Sequence, residues 1–260
     1  MKYYVIDAFT DEIFKGNPAG VCLLESDISD EIMQKVAFEN NLAETAFLLK
    51  KENEYHLRWF TPEVEIDLCG HATLATAFVV MNFLDTNLND ISFETKSGVL
   101  SVSRDKDIYK MNFPSRMPIA TEIDPLLEKA LGCKVLETYL SRDLLVVVEN
   151  ESIVKDLTVN ISLLSQISKE VAFAVIVSAK GENCDFVSRF FAPNAGIDED
   201  PVTGSAHSTL IPFWAQKLNK TDMIAKQLSA RGGTLICENL GDRVNISGKA
   251  VCYLVGEITL

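Results

Sequence analysis

The chain has 260 residues, 47% of them hydrophobic and 23% charged, and its 24 basic against 37 acidic side chains leave a net charge of −13. That composition suits a globular protein large enough for one or two substantial cores. The negative balance repels a phosphate backbone and argues against nucleic acid as a partner. The longest mainly apolar run, Ala72 to Leu84, is broken by Thr73, Thr76 and Asn82 and falls short of the roughly 20 residues that span a bilayer, so no membrane is expected. Met1-Lys2-Tyr3-Tyr4-Val5-Ile6-Asp7 meets an acid too early for a signal peptide. The six cysteines, at 22, 69, 133, 184, 237 and 252, form no C-x-x-C pair. Free thiols and a cytoplasmic location are the expectation.

In chain order, Tyr3 to Ala8 and Val21 to Leu24 read as strands joined by the turn-rich Lys15-Gly16-Asn17-Pro18-Ala19-Gly20. Ser29-Asp30-Glu31 opens a helix with a Ser cap and acids in its first turn, ending near Asn40-Asn41. Ala46 to Leu49, His56 to Phe60, Ile91 to Glu94, Val99 to Ser103 and Tyr109 to Phe113 read as strands around a helix from about His71 to Leu84. That helix is apolar on nearly every face, which predicts a sheet wrapped around it. Pro114 and Pro118 bracket an interdomain crossing. Then follow a helix at Pro125 to Leu131, β-like runs at Leu136 to Leu140 and Leu144 to Glu149, and a helix from Leu157 to Ile167. Ala172 to Ser178 and Phe186 to Phe191 are predicted strands, and Gly204 to Leu218 is a second central helix despite Pro212. Strands at Ile224 to Ser229, Thr234 to Glu238, Arg243 to Ser247 and Ala250 to Ile258 complete the pattern.

The order of elements repeats because the sequence does. Arg58-Trp59-Phe60-Thr61-Pro62-Glu63-Val64-Glu65-Ile66-Asp67 returns as Arg189-Phe190-Phe191-Ala192-Pro193-Asn194-Ala195-Gly196-Ile197-Asp198, 131 positions later. A period of half the chain means two related domains rather than a solenoid. We expect residues 1–115, completed by the C-terminal strand 248–260, and residues 116–247. Each copy runs through a glycine into a helix with a histidine in its opening residues: Cys69-Gly70-His71 and Gly204-Ser205-Ala206-His207. A helix N-terminus carries unpaired N–H groups and roughly half a positive charge, so two facing starts form an anion site. The competing reading is that Gly70 and Gly204 merely turn strand into helix.

Two carboxyl groups stand out. Asp200, in Asp198-Glu199-Asp200-Pro201-Val202-Thr203-Gly204, sits in the segment unique to the second copy, where capping is the alternative role. Glu44, in Leu42-Ala43-Glu44-Thr45-Ala46-Phe47, lies between a helix and an apolar strand, where a dry pocket suits it to proton transfer, or else is an ordinary loop acid. Glu170-Val171-Ala172-Phe173 echoes it weakly. His71 can carry a proton near neutral pH or simply be polar at an exposed helix end. His56, His71 and His207 have no local ligand pair, so no metal is expected, and no phosphate-binding glycine motif occurs. Cofactor independence is the simplest reading.

Asp7-Ala8-Phe9-Thr10 with Gly16-Asn17-Pro18-Ala19-Gly20-Val21, Leu42 to Phe47, Phe60-Thr61-Pro62 leading to Cys69-Gly70-His71-Ala72-Thr73, and Glu199-Asp200-Pro201-Val202-Thr203-Gly204-Ser205-Ala206 together resemble the PhzF family of phenazine-biosynthesis-like isomerases, in order over essentially the whole chain. The resemblance implies the diaminopimelate-epimerase-like fold. This is an α+β architecture of two similar halves, each a mixed sheet or barrel around a central helix, with the active site at their seam. It also implies a homodimer and a cofactor-free isomerisation, of the dihydro-3-hydroxyanthranilate type, in which a glutamate takes a proton from one ring carbon and returns it to another. Carried over, Glu44 is that acid/base, His71, Asp200 and Ser205 match polar residues of the family site, and Gly70 and Gly204 match its backbone positions. The expected ligand is a small carboxylate. The alternatives are an amino-acid epimerase using two cysteines, for which Cys69 has no partner thiol at the second helix start, and a non-catalytic protein of the same fold that binds a small acid or a partner.

Overall fold

The structure, a computed structural model, describes residues 1–52 and 54–260. The chain divides into two units, Met1–Asn112 with Ser247–Leu260, and Phe113–Ile246. In the first lie β1 (Lys2–Ala8), β2 (Asn17–Leu24), α1 (Asp30–Asn40), β3 (Glu44–Lys51), β4 (Glu54–Phe60), β5 (Glu65–Ile66), α2 (Gly70–Val79), β6 (Asp90–Thr95) and β7 (Gly98–Asp105), with β8 (Ile108–Pro114) at the boundary. The second holds β9 (Ile119–Thr121), α3 (Pro125–Leu131), β10 (Glu137–Leu140), β11 (Leu144–Val147), α4 (Glu151–Asp156), α5 (Ile161–Ser168), β12 (Val175–Lys180), β13 (Phe186–Ala192), β14 (Ile197–Asp200), α6 (His207–Leu218), β15 (Asp222–Gln227) and β16 (Gly233–Asn239). The strand β17 (Arg243–Gly248) returns the chain to the first unit, where β18 (Ala250–Glu257) completes the sheet.

In the first unit β1 lies antiparallel between β18 and β2, β2 runs parallel to β3, and β3 is antiparallel to β4. The strand β4 then pairs antiparallel with β5 and parallel with β6, which continues antiparallel to β7 and β8. The β1–β2 connection demands glycine. Gly16 has φ +64, and a Cβ there would lie 2.1 Å from the Ala8 carbonyl oxygen. The sheet folds around α2, whose residues His71 to Ala77 and Val79 are all buried and which packs on β1, β2, β3, β7 and β18. Its run of Ala72, Ala75 and Ala77 lets strands approach from several sides. The predicted helix reaches Leu84, but its last turn widens: the Asp85 N–H bonds the Val80 carbonyl five residues back at 2.8 Å.

The second unit repeats this pairing scheme. The strand β10 is antiparallel to β9 and β11, β11 is parallel to β12, and β12 is antiparallel to β13. Next, β13 pairs antiparallel with β14 and parallel with β15, which is antiparallel to β16. Register matches as well as order, since Ala46 opposes Trp59 as Ile176 opposes Phe190. By this register the position matching Glu44 is Ala174. The Glu170-Val171-Ala172-Phe173 echo therefore has no structural counterpart in β3. The second central helix, α6, follows a single tight turn at Gly204–Ala206 and tolerates Pro212 for a visible reason. Proline cannot donate to the Ser208 carbonyl, and the Arg116 backbone N–H takes that acceptor at 2.8 Å.

The helix predicted at Leu157 to Ile167 is α5, which starts four residues later because Asn160 caps it on Leu163 N–H at 3.0 Å. The short helix α4 before it, capped by Asn150 on Ile153 N–H at 3.0 Å, lies outside the predicted elements. No helix among the described residues is long and apolar enough to cross a membrane.

Candidate active site

The surface helices start in the usual way. Ser29, Asp124, Asn150 and Asn160 cap α1, α3, α4 and α5 with side-chain oxygens. The two central helices do not. Cys69 precedes α2 and Thr203 precedes the turn that opens α6, both in extended backbone, and neither side chain caps. The N–H groups of the first turns after Cys69 and Thr203 therefore lack the side-chain partner that a cap supplies.

Beside the start of α2 lies a buried polar group. Glu44 is the first residue of β3, 8% exposed, and its Oε2 is 3.0 Å from His71 Nε2. The separation is that of an ion pair, yet neither atom has a well-aligned hydrogen-bond partner within the protein, because the approach lies off the ring N–H direction. The other face of the imidazole is also occupied. The Asn17 amide nitrogen lies 3.3 Å and the Cys69 sulfur 3.5 Å from His71 Nδ1. Rather than standing at an exposed helix end, His71 is 5% exposed.

Burial disfavours a charged His71, but the adjacent Cys69 sulfur and Glu44 carboxylate outweigh it and hold the imidazole proton well above the usual histidine range. Burial, followed by the Glu44 charge, pushes the Cys69 thiol up. The Asn17 amide as placed donates to a neutral Nδ1, which conflicts with a charged ring. Turning the amide over presents its oxygen to a protonated Nδ1, so this one side chain suits both states. Its position was hidden in the sequence, where Gly16-Asn17-Pro18 reads as turn chemistry.

In the second unit Asp200 ends β14. Its carboxylate accepts from the Thr203 hydroxyl, and its backbone carbonyl accepts from Gln227 Nε2 at 2.7 Å. The buried Gln227 also accepts from Thr203 N–H at 2.8 Å, so amide and hydroxyl fix the loop entering Gly204. Ser205 Oγ accepts from Arg142 Nη2 at 3.2 Å, while Arg142 forks onto the fully buried Asp143 at 3.0 and 2.8 Å. Arg142, Asp143 and Gln227 carry no local motif that marks them. Glu44 and His71 meet within the first unit, and Asp200, Gly204 and Ser205 lie close along one loop of the second.

Residues 6–256 match the family of phenazine biosynthesis-like proteins called PhzC-PhzF. A Pseudomonas aeruginosa protein described as an uncharacterized isomerase is 47% identical over 260 residues, covering 100% of this chain and 99% of its own. The chain belongs to the PhzC-PhzF family. A crystal structure of a PhzF family protein from Enterococcus faecalis superposes with TM-score 0.97 at 48% identity, covering 100% of this chain and 99% of the other. A predicted epimerase from Pseudomonas aeruginosa shares the fold at TM-score 0.78 and 18% identity, over 100% of this chain and 99% of its own.

The chain is thus an isomerase of the PhzC-PhzF family, with the mixed α+β fold of epimerase-like proteins. Within that family fold, the helix starts compare directly. Cys69 and Thr203 hold the same place before Gly70 and Gly204, and Thr73 and His207 each reach back to the carbonyl four residues earlier. A hydroxyl, that of Thr203, therefore stands in the second unit where the first has the Cys69 thiol. The fold also assembles what spacing did not show: Glu44, Cys69 and His71 place one oxygen, one sulfur and one nitrogen within 4.8 Å of one another.

Proposed function

We infer that this PhzC-PhzF protein is a cofactor-independent isomerase of a small carboxylic acid, with Glu44 as the proton carrier. The observation behind this reading is the buried Glu44 carboxylate, 3.0 Å from His71 and short of an aligned hydrogen bond, beside a central helix that no side chain caps. The ionised carboxylate takes a proton from a carbon conjugated with the substrate's acid group. The electron pair of the broken C–H bond moves into the conjugated system, and the proton returns from neutral Glu44 to a different carbon. Free N–H groups at a helix start stabilise the charge that develops between the two transfers. His71 orients the carboxylate. Asp200 is assigned a catalytic polar role and Ser205, with the Gly70 and Gly204 backbones, substrate binding. We assign the active form as a homodimer in the cytoplasm, which size-exclusion chromatography with light scattering and cell fractionation check.

Glu44→Gln keeps the shape of the side chain and removes the proton-carrying group, so kcat should fall by roughly 10²–10⁴-fold with the circular dichroism spectrum unchanged. Dihydro-3-hydroxyanthranilate and a panel of unsaturated carboxylic acids, incubated in D₂O, supply the readout. The wild-type protein should place deuterium on substrate carbon, and the variant should not. Full turnover by Glu44→Gln on an accepted substrate defeats the assignment. Failure of every panel member to exchange with wild-type protein favours the small-acid binder instead.

A further inference from the structure

We propose that Glu44, Cys69 and His71 form a binding site for a soft divalent cation of the zinc type. This extends beyond the isomerase reading and does not depend on it. The three side chains come from two elements, the first residue of β3 and the opening of α2, and they are 8%, 5% and 5% exposed. Their donor atoms lie within 4.8 Å of one another, with Cys69 Sγ 3.5 Å from His71 Nδ1 and Glu44 Oε2 3.0 Å from His71 Nε2. A tetrahedral zinc ion holds its donors roughly 3.5 Å apart and takes one nitrogen of an imidazole. Cys69 and Glu44 now face opposite ring nitrogens, so side-chain rotation must bring one of them toward the other's nitrogen to close the group. A second observation points to a ligand: Glu44 Oε2 and His71 Nε2 are both buried without an aligned partner within the protein.

The donor set decides the kind of ion. Thiolate and imidazole select zinc and its neighbours over magnesium or calcium, which require oxygen shells. Binding requires the Cys69 thiol proton, and any proton on the ligating imidazole nitrogen, to leave to solvent. Three protein ligands leave a fourth position for water or an exchangeable anion. An ion held there occupies the Glu44 carboxylate, so under the isomerase reading it blocks turnover, while the binding itself stands without that reading.

Cobalt(II) reports the site directly, with no need of a substrate. Titrated into the metal-free full-length protein, one equivalent should give the intense visible bands of tetrahedral cobalt and a sulfur-to-metal charge-transfer band in the near ultraviolet, both erased by one equivalent of zinc. Cys69→Ala should remove the charge-transfer band and weaken binding roughly a hundredfold or more, beyond what loss of an outer partner costs. Cys22→Ala, which alters a buried cysteine outside the group, should leave the spectrum intact. Glu44→Gln should weaken binding while keeping the sulfur band, a check that stands if Cys69→Ala misfolds. A weak octahedral spectrum without charge transfer overturns the proposal, as does a sulfur band that survives Cys69→Ala. Because this readout involves no turnover, an inactive but metal-binding protein sinks only the isomerase mechanism, and an active protein blind to cobalt sinks only the metal site.

Discussion

His207 shows how a histidine in a first helical turn can be wholly structural. It is fully buried, its Nδ1–H donates to the Thr203 carbonyl at 2.9 Å, and burial pushes its pKa down to about 4. The unfolded chain, with an ordinary value of 6.5, binds a proton that the folded protein refuses. Stability from this group is therefore complete above pH of about 6.5 and is lost as pH falls toward about 4, by roughly 3 kcal/mol in total. Urea unfolding across that range should show the slope, and His207→Asn should flatten it. His71 occupies a similar place in the sequence but faces Glu44 and Cys69, and it holds its proton instead. The sequence marks both histidines equally; what separates them is a carboxylate 27 residues upstream of one and a backbone carbonyl beside the other. Such partners arise from strand register, which local pattern does not encode.

Duplicated elements carry duplicated ion pairs. Arg58 forks onto Glu65 at 2.7 and 2.8 Å, and Arg189 forks onto Glu199 at 2.6 and 2.8 Å. Each guanidinium also lies over the phenylalanine two residues on, Phe60 or Phe191, at 5.2 Å. The arginines differ in depth, 29% exposed for Arg58 and 13% for Arg189, while the glutamates run the other way, 14% for Glu65 and 25% for Glu199. Arg189 also donates to the Leu157 carbonyl at 3.0 Å, just past the end of α4. Arg189→Met should accordingly cost about 2–3 kcal/mol and Arg58→Met about 1 kcal/mol, measured by denaturant unfolding. Asn160→Ala, which removes the cap of α5, should cost about 1 kcal/mol. The repeat announced these arginines, and the apolar stripe announced α2 as a buried helix. The helix α4 went unread because six residues carry too little hydrophobic period, and α5 was started four residues early because Leu157 and Val159 extend its apolar pattern past the Asn160 cap. The short strands β5 and β14, of two and four residues, are too brief for alternation to reveal.

At the scale of the whole molecule, a net charge of −13 opposes the approach of an acidic substrate. Raising ionic strength from about 0.01 to about 0.1 M shortens the screening length from about 30 to about 10 Å. For an anionic substrate kcat/KM should therefore rise over that range, whereas kcat should hardly change; a falling kcat/KM would indicate that local positive potential governs capture. The same scale gives meaning to β18. It pairs along the length of β1 and packs on α2, although more than 240 residues separate β18 from β1 in the chain. During synthesis the segment from Phe113 to Ile246 emerges in full while the sheet around Glu44 and His71 still lacks a strand. A nascent chain stalled before residue 250 thus presents the second unit while β18 is still missing beside β1, and the Glu44–His71 approach should be reached only once residues 250–257 have emerged.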